Sequence, residues 1–263
     1  KEVITNFENR HGLLVQKRYA HSNQGCAVSV ISGVDWAFTK AQNLIVLEDD
    51  CLPSPAFFDF VHNQLPNLQS QSQVEIICGT QFIPSYLTQE RSLLSHYALT
   101  WGWATSRQKW TGLRKLFFDY PNKPTVRDLL SKDSEEAFWR AGARRARLGF
   151  TDVWDTILLE HLHDKKSYAI HPPANLIKNL GNDDASTHVS KSSVWTNREV
   201  QMEVSSEVNS PVFSENCDYW IKHYFYRIRT RHLFTTKITL VLDQILPRRR
   251  RKFGKVLAER LRT

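Results

Sequence analysis

The run Leu44-Ile45-Val46-Leu47 limits the fold more than any other stretch of the chain. Four apolar residues in succession, without alternation, suit a strand covered on both faces, as in a parallel sheet flanked by helices. The neighbouring segments agree. Residues 13–20 (LLVQKRYA) read as a strand, and SNQG at 22–25 reads as a turn whose glycine supplies positive φ. AVSVISGVDWAF then carries Val28, Ile31, Val34, Trp36 and Phe38 mostly on one side of a helix. Beyond the run, Ser54 is placed as an N-cap and Pro55 as a first helical residue, with Phe57, Phe60, Val61 and Leu65 at helical spacing. VEIICGT at 74–80 is the next strand. Strands and helices alternating in this way define an α/β domain, and ligands of such sheets bind beyond the C-terminal ends of the strands.

The apolar run ends at such a position, in Glu48-Asp49-Asp50. Adjacent carboxylates repel one another and cost stability unless a cation or strong donors neutralise them. Period-two geometry sends Glu48 and Asp50 to one side and Asp49 to the other. Hard carboxylate oxygens suit Mg²⁺ or Mn²⁺, which retain positions for water and phosphate. A solvated acidic turn is the competing reading. Two further groups divide in the same way. Asp155, after Trp154, is either an acid favoured by a helix N-terminus or a general base with apolar neighbours. GNDDASTH at 181–188, with Asp183, Asp184 and His188, is either a polar turn or a loop that closes over a metal-bound phosphate. His161, His163 and His171 form no H-x-x-x-H pair and read as structural or solvated.

Later segments are less sharply patterned. WGWATSRQKW at 101–110 is aromatic and rigid, and 125–150 reads as an amphipathic helix pair. TDVWDTILLEHLHDKK reads as a helix entered from a loop, and 170–188 as an extended strand followed by a polar loop. The expected organisation is a domain over 1–191, a linker over 192–221 that carries at most a strand, and a basic amphipathic tail over 222–263.

The net charge of +8 lies in that tail. From Lys222 to Thr263 there are thirteen Lys/Arg against two Asp/Glu, which leaves the first 221 residues at −3. A nucleic-acid partner is therefore disfavoured, because no recognition motif accompanies the charge. HLFTTKITLVLDQIL followed by PRRRRKFGKVLAERLR suits either a solvated helix or a peripheral contact with an anionic membrane surface. The longest apolar stretch, 238–246, is too short to span a bilayer. Cys26, Cys51, Cys78 and Cys217 form no C-x-x-C pair, which points to free buried thiols in a reducing, cytoplasmic setting.

Three blocks together resemble a known family: NQGCAVSVISGVDWAF leading into LIVLEDDCLPSPAFFDF; WGWATSRQKW; and VWDTILLEHLHDKKSYAIHPPANLIKNLGNDDASTH. Their order and spacing over about residues 13–190 are similar to GT-A-fold nucleotide-diphospho-sugar transferases, in particular N-acetylglucosaminyltransferase I and its bacterial relatives. The resemblance implies a Rossmann-like mixed sheet flanked by helices, a nucleotide-diphospho-sugar donor and a Mn²⁺ or Mg²⁺ cofactor. It implies metal ligation by Asp50, with His188 as a further candidate. Donor contacts would come from Glu48, Asp49, Trp101, Trp103 and Asp184, and Asp155 would be the catalytic base. The implied reaction is inverting transfer to a glycan or lipid-linked acceptor, at the inner face of a bacterial membrane, in surface-polysaccharide or glycolipid synthesis.

Two features of the family are unmatched. Only about 47 residues precede the triplet, so the family's first strands and Asp-Gly turn, which grip the nucleotide base, are absent or reduced. Ser106 stands where the motif usually carries a third tryptophan. An inactive GT-A-like module that binds a membrane or partner, and a metal-dependent phosphohydrolase, are the competing expectations.

Overall fold

The computed structural model describes residues 2–12, 14–88, 90–118, 134–147, 149, 151–181, 198–203 and 210–228. Helix α1 (Glu2–His11) and helix α2 (Cys26–Phe38) precede strand β1 (Asn43–Val46). After β2 (Cys51–Pro53) come α3 (Pro55–Ser70), β3 (Val74–Cys78), the short α4 (Ser85–Thr88), β4 (Leu93–Ser95) and β5 (Trp103–Ser106). They are followed by α5 (Arg107–Phe118), α6 (Ser134–Arg147), α7 (Asp155–Lys165), β6 (Tyr168–His171) and β7 (Ile177–Asn179). The last described elements are β8 (Val212–Phe213) and α8 (Glu215–Trp220), which continues as a π turn over Ile221–Phe225.

The fold is α/β, with a mixed sheet in the order β1-β5-β3-β6-β4-β8. Strand β3 runs parallel to β6, β4 runs parallel to β8, and β5 is antiparallel to both β1 and β3. Strands β1, β3 and β6 therefore all finish at one edge of the sheet. A separate antiparallel ribbon joins β2 to β7, with Cys51 opposite Asn179 and Pro53 opposite Ile177.

Helices cover both faces. On one, Ile31, Val34 and Phe38 of α2 meet Ile76, Trp103, Trp110 and Leu158. On the other, Phe57, Phe60 and Val61 of α3 meet Ile77, Ala104, Ile170 and Ile177. Burying these two apolar faces is what holds the layers together. Pro55 opens α3 as the sequence predicts, but Ser54 caps it with backbone alone.

Three sequence expectations need correction. No strand forms over the described residues 14–20, and Leu14 is 91% exposed. That segment folds back on α1 instead, where the Val15 amide donates to Glu8 Oε1 at 2.8 Å and Lys17 pairs with Glu8. The apolar run is not covered on both faces either, since β1 lies at the edge of the described sheet and Ile45 and Leu47 are partly exposed.

Finally, the division at 192 and 222 does not follow the fold. Strand β8 extends the sheet beside β4, and Cys217, Ile221 and Ile228 are buried in the core. Apolar residues at 217, 221 and 228 are too few to give a clear period in sequence, and the contacts they make are remote. Among the described residues no helix is long and apolar enough to cross a membrane. The polybasic stretch beyond residue 228 lies outside them.

Candidate active site

The acid triplet emerges from β1 at the edge where β3 and β6 also end. It forms a tight turn in which the Cys51 amide donates to Glu48 O at 3.1 Å. The Leu180 amide donates to Asp50 O at 2.7 Å, and Asn179 Nδ2 donates to Asp50 Oδ2 at 3.3 Å. The β2–β7 ribbon thus holds Asp50 from the other side. Gly181 closes the cradle, because a Cβ there would overlap the Asp50 carboxylate. Asn179 and Gly181 were not singled out from sequence as site residues. The N-x-G spacing in KNLGN was the available signal, and it resembles any turn.

Asp155 is the first residue of α7, and its position follows from the residue before it. Trp154 is 3% exposed, and its ring lies 5.0 Å from that of Trp103. Trp103, itself 1% exposed, packs in turn on Trp110 at 6.1 Å. Trp103 is therefore a core residue that braces the start of α7, with no surface to offer a ligand. Trp101 is half-buried and stands edge-on to Phe82 at 5.5 Å and to Phe225 at 5.8 Å. Ser106 has a local use, accepting from the Lys109 amide at 3.3 Å in the first turn of α5.

Asp152 was not picked out from sequence. Its two carboxylate oxygens accept from the Cys26 amide at 2.7 Å and the Ala27 amide at 2.9 Å. It caps α2 from 126 residues away, where Gly25 has no side chain to do so. Gly25 adopts φ 81°, and a Cβ there would overlap Asp152. This contact ties the loop that precedes Asp155 to the helix that precedes the acid triplet.

The result is a concentration of negative charge. Burial, followed by the charges of Asp50, Asp155 and Asp49, lifts the Glu48 carboxyl to about 7. Burial, followed by Glu48, Asp152 and Asp155, lifts the Cys26 thiol to about 11. Cys26 is the exposed cysteine; Cys51, Cys78 and Cys217 are buried, and all four are free. Among the described residues, none of Glu48, Asp49 and Asp50 takes part in an ion pair. Nor do three His, Cys, Asp or Glu side chains there converge as a metal-binding group. Asp184 and His188 lie outside the described residues.

The Glu48 shift has a testable pH signature. A carboxyl whose pKa is higher folded than unfolded binds more protons in the native state, so its contribution to stability is lost as pH rises from about 4.5 to about 7. His171, fully buried at the end of β6, acts in the opposite sense. Its ring lies 2.8 Å from Tyr97 O and 3.3 Å from Thr80 O, and burial holds its pKa down to about 4. Stability from His171 is therefore lost as pH falls from about 6.5 to about 4. In Glu48→Gln, the difference in melting temperature from wild type should grow as pH rises through 4.5–7, with the variant gaining. Parallel melting curves across that window would mean that Glu48 does not titrate there.

No protein-family model matches the chain, and no curated protein matches it.

Proposed function

We propose that the chain is a metal-dependent inverting glycosyltransferase of the GT-A fold, moving a sugar from a nucleotide-diphospho-sugar to a hydroxyl of a glycan or lipid-linked acceptor. The observation that carries this reading is the meeting of two remote acids. Glu48-Asp50 leaves β1 and Asp155 opens α7, yet Asp155 is close enough to raise Glu48, at the sheet edge where α/β folds bind ligands. The mixed sheet flanked by helices is compatible with this assignment.

The residues present fit a hard divalent ion of the kind that keeps water and phosphate in its shell. Asp50 offers a hard carboxylate oxygen held by Asn179, and no described cation neutralises the triplet. Bound there, Mg²⁺ or Mn²⁺ supplies positive charge against the donor diphosphate. Glu48 and Asp49, on the same turn, accept hydrogen bonds from donor hydroxyls. Asp155 takes the proton from the acceptor hydroxyl as its oxygen bonds to the anomeric carbon, and the bond to the diphosphate oxygen breaks with its electron pair leaving on the nucleotide. A single displacement needs one base and inverts the centre, unlike the paired carboxylates of a retaining glycosidase. Trp154 and Trp103 keep Asp155 in place.

Calorimetric titration of a panel of nucleoside diphosphates with and without Mn²⁺ tests the reading. Wild type should bind at least one of them only when Mn²⁺ is present, and Asp50→Ala should lose that binding. Absence of any metal-dependent binding in wild type removes the proposal.

A further inference from the structure

A second polar cleft lies at the other end of α7. His96, Tyr97, Glu135, Glu136, His163, Asp218, Tyr219, Lys222 and His223 enclose about 460 Å³, within the size range of small-molecule sites. Asp155 opens α7 and His163 lies in its last turn, which puts the two sites roughly 12 Å apart along the helix at about 1.5 Å per residue. Strand β4 runs antiparallel to β6, so His96, just beyond its end, sits at the edge opposite the acid triplet.

The chemistry of the wall selects a ligand. His96 Nδ1 lies 2.9 Å from Ser167 O; a carbonyl only accepts, so this nitrogen carries a proton, and in that tautomer Nε2 is the acceptor. Asp218 Oδ1 accepts from Ser95 Oγ at 2.5 Å and from the His96 amide at 3.0 Å. Among the described residues no hydrogen bond takes up Asp218 Oδ2 or His96 Nε2. The open atoms therefore call for a ligand that donates. Lys222 pairs with Glu135 and Arg140 with Glu136, so two of the three carboxylates on this wall are already neutralised and leave no open charge for a cationic donor. Tyr219, 53% exposed, adds a flat aromatic surface, and its ring lies 4.5 Å from that of His223. Donating hydroxyls on a neutral body with an apolar C–H face describe a sugar ring.

We propose that this cleft binds a neutral saccharide unit, independently of the acid site. The inference goes beyond the transferase reading and does not require Asp155 to be a base. Saturation-transfer NMR on the full chain with glucose, galactose and N-acetylglucosamine, without nucleotide, gives the first measurement, with the alkylamine cadaverine as the charged competitor. At least one sugar should bind. The Tyr219→Ala/His223→Ala pair, at exposed positions and verified by an unchanged melting curve, should weaken it by about 10-fold or more. Asp50→Ala should bind as wild type does. Binding of none of the three sugars, binding unaffected by the paired substitution, loss of binding in Asp50→Ala, or displacement of the sugar by cadaverine would each overturn the proposal. Loss of metal-dependent nucleotide binding with sugar binding intact would overturn only the transferase reading.

Discussion

Asp155→Asn should slow sugar transfer by about 10²–10⁴-fold, the usual contribution of a positioned base, with metal-dependent nucleotide binding close to wild type. Asparagine preserves the size and hydrogen-bonding capacity of the residue at the start of α7 but cannot remove a proton. The packing that holds the position, Trp154 on Trp103, is untouched. A second readout does not depend on turnover. Because the Asp155 charge contributes to the raised Glu48 carboxyl, the variant should titrate Glu48 at lower pH, visible by NMR of the labelled carboxyl. Calorimetry and product assay separate binding from chemistry. Full turnover in the variant removes Asp155 as the base, and an unshifted Glu48 titration would mean the two acids do not interact.

Gly79→Ala is expected to lower stability through overpacking alone, without backbone strain. A Cβ at this position would come within 2.6 Å of both Ile177 Cγ1 and Phe57 Cε2. Phe57 and Ile177 are core residues at 0% and 2% exposure, so neither has solvent to move into. The backbone is pinned as well: the Gly79 amide donates to Gly102 O at 2.8 Å, and Gly79 O accepts from the Leu176 amide at 3.0 Å. Overpacking of this kind costs about 1–3 kcal/mol. At about 2–4 °C per kcal/mol for a domain near this size, the melting temperature should fall by roughly 2–12 °C. Adding Ile177→Ala relieves one of the two clashes, so the double variant should lose less than the sum of the two single losses. Strict additivity of the two substitutions would contradict the close approach.

The helices and strands that repeat a local pattern were legible in the sequence. The apolar face of α2, the Pro55 start of α3 and the strand at 74–78 all follow from spacing and punctuation. Pairing was not. Strand β1 has as its neighbour β5, about sixty residues on, which leaves it at the sheet edge; nothing within LIVL reports that. Residues 14–20 have the composition of a strand but join no sheet, and Glu8 holds Val15 and Lys17 instead. The acids of the candidate site stood out because adjacent carboxylates are conspicuous. Their supports did not, since Asp152, Asn179 and Gly181 act through contacts 125 to 129 residues away or through a missing side chain. Trp103 stood out as an aromatic beside Trp101, but β5 is buried at every position, so its side chain belongs to the core.

The Asp152 carboxylate at the start of α2 has a consequence for how a phosphate could be held. In many nucleotide-binding α/β proteins the open amides at a helix start receive the phosphate directly. Here the chain's own carboxylate already engages the first two amides of α2 and brings a negative charge with it. An incoming diphosphate meets repulsion at that helix rather than a welcome, and further repulsion from Glu48-Asp50. On the proposed reading, the divalent ion held by Asp50 would supply the positive charge that this helix start does not offer.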